Sequence, residues 1–591
     1  MRKYETLEKS LRSAHIPIPP GRYLLLTIIL TIIAGSICNL AGTLVVLTGI
    51  VIPLPTFLPA HIFYLFSSVI ITAATGCLIY YYPTLKASGR KTRIDLDLPY
   101  AVTYMQALSP ILSLADIFRN IHQEYDLYGE VSNECGVIVR NMDVFGEDLN
   151  TSIEHAKEIT PSENFRELLN DLLLMHQSGG NLTNFFNAKS LAYREISRNE
   201  QDSLLQFLEM IAEIYVTVFV AGPIAIIIML VAQNLTGQST LGGITTLLYV
   251  GLPLGAIVLI AILYILLPPD NLAISHKEVQ ETEYANDILN TKSNEEPNLE
   301  FIKKVEKRKR EIHILELLKH PVKTYIAKYD YAIVLGMIAA GGIFYLYYSG
   351  YLASVFPVFT FEAFLCLIII AGIIPAIIAY ELRYRYVNSI EKQMPEFLRE
   401  IADMRDIGMT LQGAIFLIAT NKKGVLSSEI KVVSDEIRYG TPLSNALVRM
   451  EERIGVITIK RAVSLLVKAS EITDYIRETL TIAVSDLEHY LKMKSKRKNV
   501  SIVYLAVIYL SFGIYLYTAY QLNVVFISSF SSFDIAFDIM SNKTAMFHIG
   551  IILAFFSGIM AGQMSANTIL SGLKHSALLL AATLIVFIYL I

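Results

Sequence analysis

Charged residues are scarce in this sequence: Asp, Glu, Lys and Arg make up 17% of its 591 residues, against about a quarter in a soluble domain. This scarcity excludes an ordinary soluble enzyme, and a hydrophobic share of 53% excludes a disordered chain. Cysteine is also rare. The four cysteines form no Cys-x-x-Cys pair, so neither a zinc ribbon nor a disulfide framework is supported.

The sequence also lacks the short motifs that mark common catalytic sites. It contains no phosphate-binding Gly-x-x-x-x-Gly-Lys loop, no His-Glu-x-x-His zinc motif and no Gly-x-Ser-x-Gly nucleophile turn. The dipeptide Gly-Asp is absent, which argues against an intramembrane aspartyl peptidase. The 11 histidines are scattered. We therefore predict no catalytic residue, no cofactor and no metal site, and we do not expect an enzyme.

Long apolar runs recur, and the mean hydropathy is +0.48. Runs of about 20 residues are long enough to cross a bilayer. The predicted fold is all-α, a polytopic membrane protein with about nine transmembrane helices. The nine predicted spans are residues 23–51, 62–82, 211–233, 247–267, 331–348, 361–380, 500–520, 547–570 and 576–591.

Lys and Arg predict the orientation of these spans. With the N-terminus in the cytoplasm, the inner segments carry 48 of the 49 Lys and Arg residues, and the outer loops carry only Lys543. This asymmetry fits the positive-inside rule. The cell membrane is the predicted location, and the long inner loops 83–210 and 381–499 hold most of the polar mass.

Both long inner loops are predicted to be helical bundles, and they match each other. Pro99 precedes Gly146 by 47 residues, and Pro395 precedes Gly440 by 45 residues. The two loops therefore form a tandem repeat in the same orientation. The predicted organisation is 1–82 (N-terminal segment and two spans), 83–210 (first module), 211–267 (two spans), 268–330 (charged linker), 331–380 (two spans), 381–499 (second module) and 500–591 (three spans).

The two modules resemble the F-type domain of type II secretion. The string Met394-Pro-Glu-Phe-Leu, the later Gly408, and Arg438 with Gly440 and Leu443 match the family pattern, as does Ser-Gly-Gly-Asn-Leu at 178–182. The first module departs at its start, and the second lacks the Gly-Gly pair at its end. The motif residues are Pro99, Gly146, Gly180, Asn181, Pro395, Phe397, Gly408, Arg438, Gly440, Leu443 and Glu471.

The resemblance implies an assembly platform for type IV filaments, similar to the platform proteins of archaella and archaeal pili. Its implied partners are a cytosolic hexameric ATPase and pilin-like or archaellin-like subunits, and a homodimer is expected. An archaellum, an adhesion pilus and a secretion pseudopilus all remain open. A transporter or channel is the alternative, but the spans carry no ionisable residue deep in their cores. A sensor scaffold is the third reading, although the outer loops are short.

Two further groups of residues are candidates for contacts. Gly558 and Gly562 form a Gly-x-x-x-Gly pair, which allows close helix packing within the subunit or across a homodimer. The basic run at 492–498 is expected to face anionic membrane lipid, and nucleic-acid binding is not expected because stacking aromatics are missing. The candidates for binding an acidic partner are Lys303, Lys304, Lys307, Arg308, Lys309, Arg310, Lys422, Lys423 and Lys431.

Overall fold

The structure is a computed structural model that describes residues 2–47, 60–235, 247–267, 308, 330–355, 359–421, 424–471, 476–526 and 539–591. Within these ranges every regular element is a helix. The all-α prediction is therefore confirmed. The chain divides into two compact units, Met1–Ser197 and Arg198–Ile591.

The first unit joins two membrane-length helices to the first module. Helices α3 and α8 flank the module and run antiparallel, since Thr103 lies beside Ser190 (hydroxyl oxygens 3.4 Å apart) and Gln106 donates to Asn187 (3.1 Å). The helices are α1 (Arg2–Ser13), α2 (Pro20–Leu47), α3 (Ala60–Leu108), α4 (Leu114–Gln123), α5 (Tyr125–Asp143), α6 (Leu149–Ile159), α7 (Glu163–Gln177) and α8 (Leu182–Tyr215), which continues into the second unit.

The second unit holds the remaining membrane helices and the second module. Its helices are α9 (Gly222–Leu235), α10 (Leu252–Leu266), α11 (Asp330–Tyr348), α12 (Tyr351–Val355), α13 (Phe361–Asp406), α14 (Leu411–Asn421), α15 (Val425–Arg438), α16 (Leu443–Ile454), α17 (Ile457–Glu471), α18 (Ile476–Tyr520), α19 (Ile539–Ala566) and α20 (Ile569–Ile585). Short π-helical turns extend or join the spans at Val216–Ala221, Leu247–Gly251, Gln521–Phe526 and Val586–Leu590.

Seven helices in the described part of the chain are long and apolar enough to cross a membrane. Each of them overlaps one of the nine predicted spans, so seven predicted spans correspond to such a helix. The other two predicted spans, 62–82 and 331–348, lie on α3 and α11, and α11 is apolar over the shorter stretch Ala332–Tyr348. A polytopic membrane protein is thus confirmed. The last predicted span is longer than expected, because helix continues from Ile569 to Leu590.

Local sequence explains where the module helices begin. Ser113, Asp148 and Ser162 each accept a hydrogen bond from a backbone N–H of the following first turn, which satisfies donors that the helix itself leaves free. In the last of these, Ser162 is the cap and α7 begins at Glu163. Pro161 therefore precedes the cap instead of occupying the first turn.

The repeat is visible in the helix order. After the long helices α3 and α13, each module has four short helices and then a long helix that returns to the membrane. The fourth short helices, α7 and α17, both have 15 residues. Phe397 and Leu411 lie on different helices, because α13 ends at Asp406 and α14 begins at Leu411.

The last two spans pack unusually closely. Gly558 and Gly562 on α19 face α20, where a Cβ at Gly558 would overlap the backbone of Ser576 and a Cβ at Gly562 would overlap that of Gly572. The Gly-x-x-x-Gly pair is therefore used within the subunit.

Candidate functional site: the ends of the two helical modules

The second module is a bundle in which each helix packs against the next one along the chain. Its first helix, α13, continues from a span, so the turn at 407–410 lies at the end away from the membrane. An ion pair between Asp406 and Arg477 (Oδ2 to Nη1, 3.0 Å) joins the ends of α13 and α18 there. We call residues 407–410 the distal face and residues 439–442 the α15 turn.

Two motif glycines end helices α13 and α15 at these turns. Gly408 has φ +84° and Gly440 has φ +98°, a conformation that L-residues with a side chain rarely adopt. The amide of Met409 donates to the carbonyl of Met404 (3.1 Å), and that of Thr441 donates to Glu436 (3.1 Å). Both are the hydrogen bonds of a Schellman-type helix end.

The residues directly before these glycines are exposed and apolar. Ile407 is 78% exposed and Tyr439 is 91% exposed. The left-handed glycine turns the chain away at once, so the preceding side chain projects from the helix end. Arg438, directly before Tyr439, has its guanidinium carbon 5.4 Å from the ring centre of Phe416. A large apolar side chain that is almost fully exposed at a helix end is suited to contact another protein.

The predicted basic candidates are only partly placed. Lys431 is exposed on α15, and Arg308 is exposed as well. Residues 422 and 423 lie outside the described residues, as do the other basic candidates between 303 and 310. Lys431 lies within α15 and not at the distal face. No motif in the sequence pointed to Ile407 and Tyr439. The sequence feature that marks both residues is an aliphatic or aromatic side chain immediately before a helix-ending glycine.

The first module has two left-handed glycine turns of its own, with different chemistry around them. Gly146 and Gly179 have φ +70° and +68°, and Val144 (72% exposed) and Phe145 (66% exposed) precede the first of them. The motif residue Gly180 is not the left-handed position; it lies against Met175. The module as a whole is acidic, with 11 Lys and Arg against 19 Asp and Glu in residues 83–210.

The remaining motif residues have structural positions. Pro99 and Pro395 lie inside the long helices α3 and α13, and Pro395 and Phe397 are buried. Asn181 accepts a hydrogen bond from the amide of Asn184 (2.9 Å) at the start of α8. Leu443 is the first residue of α16, and Glu471 is the last residue of α17.

Buried charged side chains connect the long helix of each module to neighbouring helices. No local sequence pattern predicted these pairs. In the first module Arg90 donates to Glu130 (2.9 Å) and Glu134 (2.6 Å). Burial opposes the charge of Glu130, but the hydrogen bond and charge of Arg90 outweigh it and the pKa lies below its ordinary value. Burial instead raises the pKa of Glu134, despite Arg90.

In the second module the corresponding contacts use different residues. Tyr386 donates to Glu429 (3.0 Å), and Arg453 joins Glu429 (3.2 Å) to Glu436 (2.7 Å). A pair between Glu391, which is 1% exposed, and Lys494 (2.6 Å) fastens α13 to α18. Such pairs hold helices in one register, because removing one partner leaves the other charge buried and unpaired.

No group of three or more His, Cys, Asp or Glu side chains suited to a metal ion occurs in the described ranges. The geometry found there is that of two helical bundles with exposed ends, each carried on helices that continue into membrane-length segments. This defines a class of protein: a polytopic membrane protein with two helical modules built onto its membrane-length helices.

Comparison with known proteins identifies the modules. The family described as "Type II secretion system (T2SS), protein F" matches residues 108–230 and 397–520. The model of that family thus matches the chain twice, and the resemblance drawn from the sequence is confirmed. An uncharacterised protein of Methanocaldococcus jannaschii is 25% identical over 521 residues, covering 86% of this chain and 81% of that protein. No solved structure matches.

Proposed function

We propose that this protein is the membrane assembly platform of a type IV filament machine, an archaellum or an archaeal pilus. In this role it receives a cytosolic hexameric ATPase on its modules and passes movement to pilin-like subunits in the membrane. The observation that carries the proposal is the pair of F domains built onto continuous membrane helices. The family consists of membrane platform proteins and not of enzymes, so we expect no bond chemistry.

The long helices suit such a coupling. Helix α13 runs unbroken from Phe361 to Asp406, so about 26 residues, or about 39 Å, extend beyond the predicted span. Helix α18 returns from Ile476 to Tyr520. The Glu391–Lys494 and Asp406–Arg477 pairs hold the two together at two levels. A load at the distal face would therefore reach the membrane through two braced helices.

We place the ATPase contact on the distal face and the α15 turn of the second module. Exposed aromatic side chains dominate the energy of many interfaces, whereas charges around them mainly speed association. Tyr439 and Ile407 supply the apolar contact. The module around them is net basic, with 20 Lys and Arg against 16 Asp and Glu in residues 381–499, which suits an acidic partner.

The decisive experiment measures binding of the host's secretion-type ATPase to the full-length protein in detergent. The double variant Ile407→Ser, Tyr439→Ser should bind at least about tenfold more weakly, because hot-spot side chains contribute about 2 kcal/mol or more each. The matched control is Val144→Ser, Phe145→Ser at the end of the first module. If wild type and the double variant bound the ATPase equally, the proposed contact would be refuted. If wild type bound no secretion ATPase at all, the proposed function would be refuted.

The orientation is part of the proposal. Ser354 follows a span on the predicted outer side, whereas Ser428 is exposed in the second module. In a variant without native cysteines, a membrane-impermeant thiol reagent applied to intact cells should label Ser354→Cys and leave Ser428→Cys unmodified. Labelling of the second variant from outside would reverse the topology and move the modules out of reach of a cytosolic ATPase.

A further inference from the structure

The first unit contains an open groove that the proposed ATPase contact does not use. The groove has a volume of about 340 Å³ and lies between the end of α1 and helices α5 and α6. Leu11, Val137 and Ile159 form its apolar walls, and Arg12 and Arg140 contribute the charge. This volume lies in the range of small-molecule sites.

The groove is cationic at neutral pH. Arg12 is paired with Glu8 (2.7 Å) but stays 66% exposed, and Arg140 is exposed as well. Burial, together with the charge of Arg90, lowers the pKa of His15 to about 4, so this lining residue is neutral. None of the lining residues that the structure describes is acidic. The nearby Glu134 is buried and pairs with Arg90.

The wall of the groove is fixed by hydrogen bonds. The hydroxyl of Ser13 donates to the carbonyl of Ile159 (2.8 Å), and the guanidinium of buried Arg90 donates to the carbonyl of Ser13. In the second module Arg383, on the long helix α13, donates to the carbonyl of Ile454 at the same place in the repeat (2.7 Å). In the first module the carbonyl of Ile159 therefore accepts its hydrogen bond from the N-terminal segment. In the second module the corresponding carbonyl accepts one from the module's own long helix.

The groove also lies close to the membrane. Pro17 lines it, and three residues later α2 begins at Pro20 with a membrane-length apolar segment. Three extended residues span at most about 10 Å, and the headgroup layer adds about 5–7 Å to each side of the hydrocarbon. The hydroxyl of Tyr23 donates to the carbonyl of Ile79 on α3 (2.6 Å), which holds the start of α2 in place.

We propose that this groove binds the phosphate headgroup of an anionic phospholipid from the leaflet that α2 enters. Guanidinium groups bind phosphate oxygens with paired hydrogen bonds, and the apolar walls suit the glycerol backbone and the first acyl carbons. A lipid so held would fix the N-terminal segment, and through Ser13 and Arg90 the first module, at a set height above the membrane.

The test uses the full-length protein in detergent with added phosphatidylglycerol or phosphatidylcholine, with bound lipid measured by native mass spectrometry. Wild type should retain phosphatidylglycerol preferentially. The variant Arg12→Gln, Arg140→Gln should lose about tenfold or more in affinity, since each cation near a membrane surface contributes about 1 kcal/mol. Pro17→Glu, which places a carboxylate at the exposed rim, should also weaken binding without touching either arginine.

The matched control is Arg385→Gln, Lys431→Gln, which removes two exposed cations from the second module, one of them in a similar i,i+4 pair with a glutamate. Circular dichroism and size-exclusion profiles verify that each variant is folded. Equal retention of the two lipids, or equal loss in the groove and control variants, would overturn the proposal. If inorganic phosphate displaced phosphatidylglycerol at millimolar concentration, the groove would be assigned to a soluble phosphate compound. That result would overturn the lipid assignment.

Discussion

Asp406 and Arg477 form an ion pair that joins the far ends of the two long helices of the second module (3.0 Å). Both side chains are more than 30% exposed, so the pair itself adds at most about 1 kcal/mol. The stronger fastening lies nearer the membrane, where Glu391 and Lys494 are buried together. The distal face therefore rests on a rigid base, while its own surface stays open to a partner.

Replacing a helix-ending glycine should destabilise the second module. Gly408→Ala and Gly440→Ala each force a Cβ into a left-handed conformation, which costs about 1–2 kcal/mol. A Cβ at either position would meet nothing within 4 Å, so crowding does not contribute. Thermal unfolding in detergent and the yield of folded protein measure the effect.

Gly89→Ala is the control for these variants. Gly89 lies exposed inside α3 and also has no neighbour within 4 Å of an added Cβ, but its helical backbone favours alanine. This substitution should stabilise the protein by about 0.5–1 kcal/mol. If all three variants had the same effect, positive φ would not be the reason that the family motif has glycine at 408 and 440.

A larger side chain at Gly562 should separate the last two spans. A Cβ there would overlap the backbone of Gly572, and backbone cannot move aside as a flexible side chain can. Gly562→Val should therefore lower the free energy of unfolding by several kcal/mol, as overpacking a core does. The melting temperature should fall sharply as a result. Gly342→Val, on an open face of α11, should have a small effect. Similar losses in both would show that α19 and α20 do not pack through these glycines.

The sequence predicted the helical class, the spans and the repeat because each follows from a periodic or compositional signal. It identified Gly408 and Gly440 as motif positions. The sequence could not identify the ion pairs of Arg90 with Glu130 and Glu134, or the Glu391–Lys494 pair. These pairs join residues 40 to 103 positions apart, and no local pattern marks them. The groove beside Ser13 was missed for the same reason: α1 contacts a helix more than 100 residues away.

The first unit should lose stability as the pH falls, partly through His15. Burial and the charge of Arg90 lower its folded pKa from 6.5 to about 4. The unfolded chain therefore takes up a proton first, so the contribution of His15 is present above about pH 6.5 and is lost as the pH falls towards 4. The difference in melting temperature between pH 7.5 and pH 5 should be smaller in His15→Gln than in wild type. An unchanged difference would mean that His15 titrates normally in the folded protein.

The last prediction concerns the charges that direct the ATPase. The second module is net basic and the first is net acidic, so the two cannot attract the same partner surface equally. Neutralising Lys422, Lys423 and Lys431 together should slow association with the ATPase by about tenfold at low salt. The effect should shrink at high salt, because screening shortens the reach of exposed charges to about 3 Å at 1 M. Stopped-flow binding at two salt concentrations measures both.

Lys86→Gln, Lys91→Gln, Arg93→Gln is the matched triple variant, since these three residues are exposed cations on the first module. It removes the same charge from the same chain and should leave the association rate nearly unchanged. The apolar contact at Ile407 and Tyr439 should respond differently, because losing buried contact area speeds dissociation and is insensitive to salt. Equal slowing by both triple variants, or slowing that persists at 1 M salt, would show that charge does not select the second module.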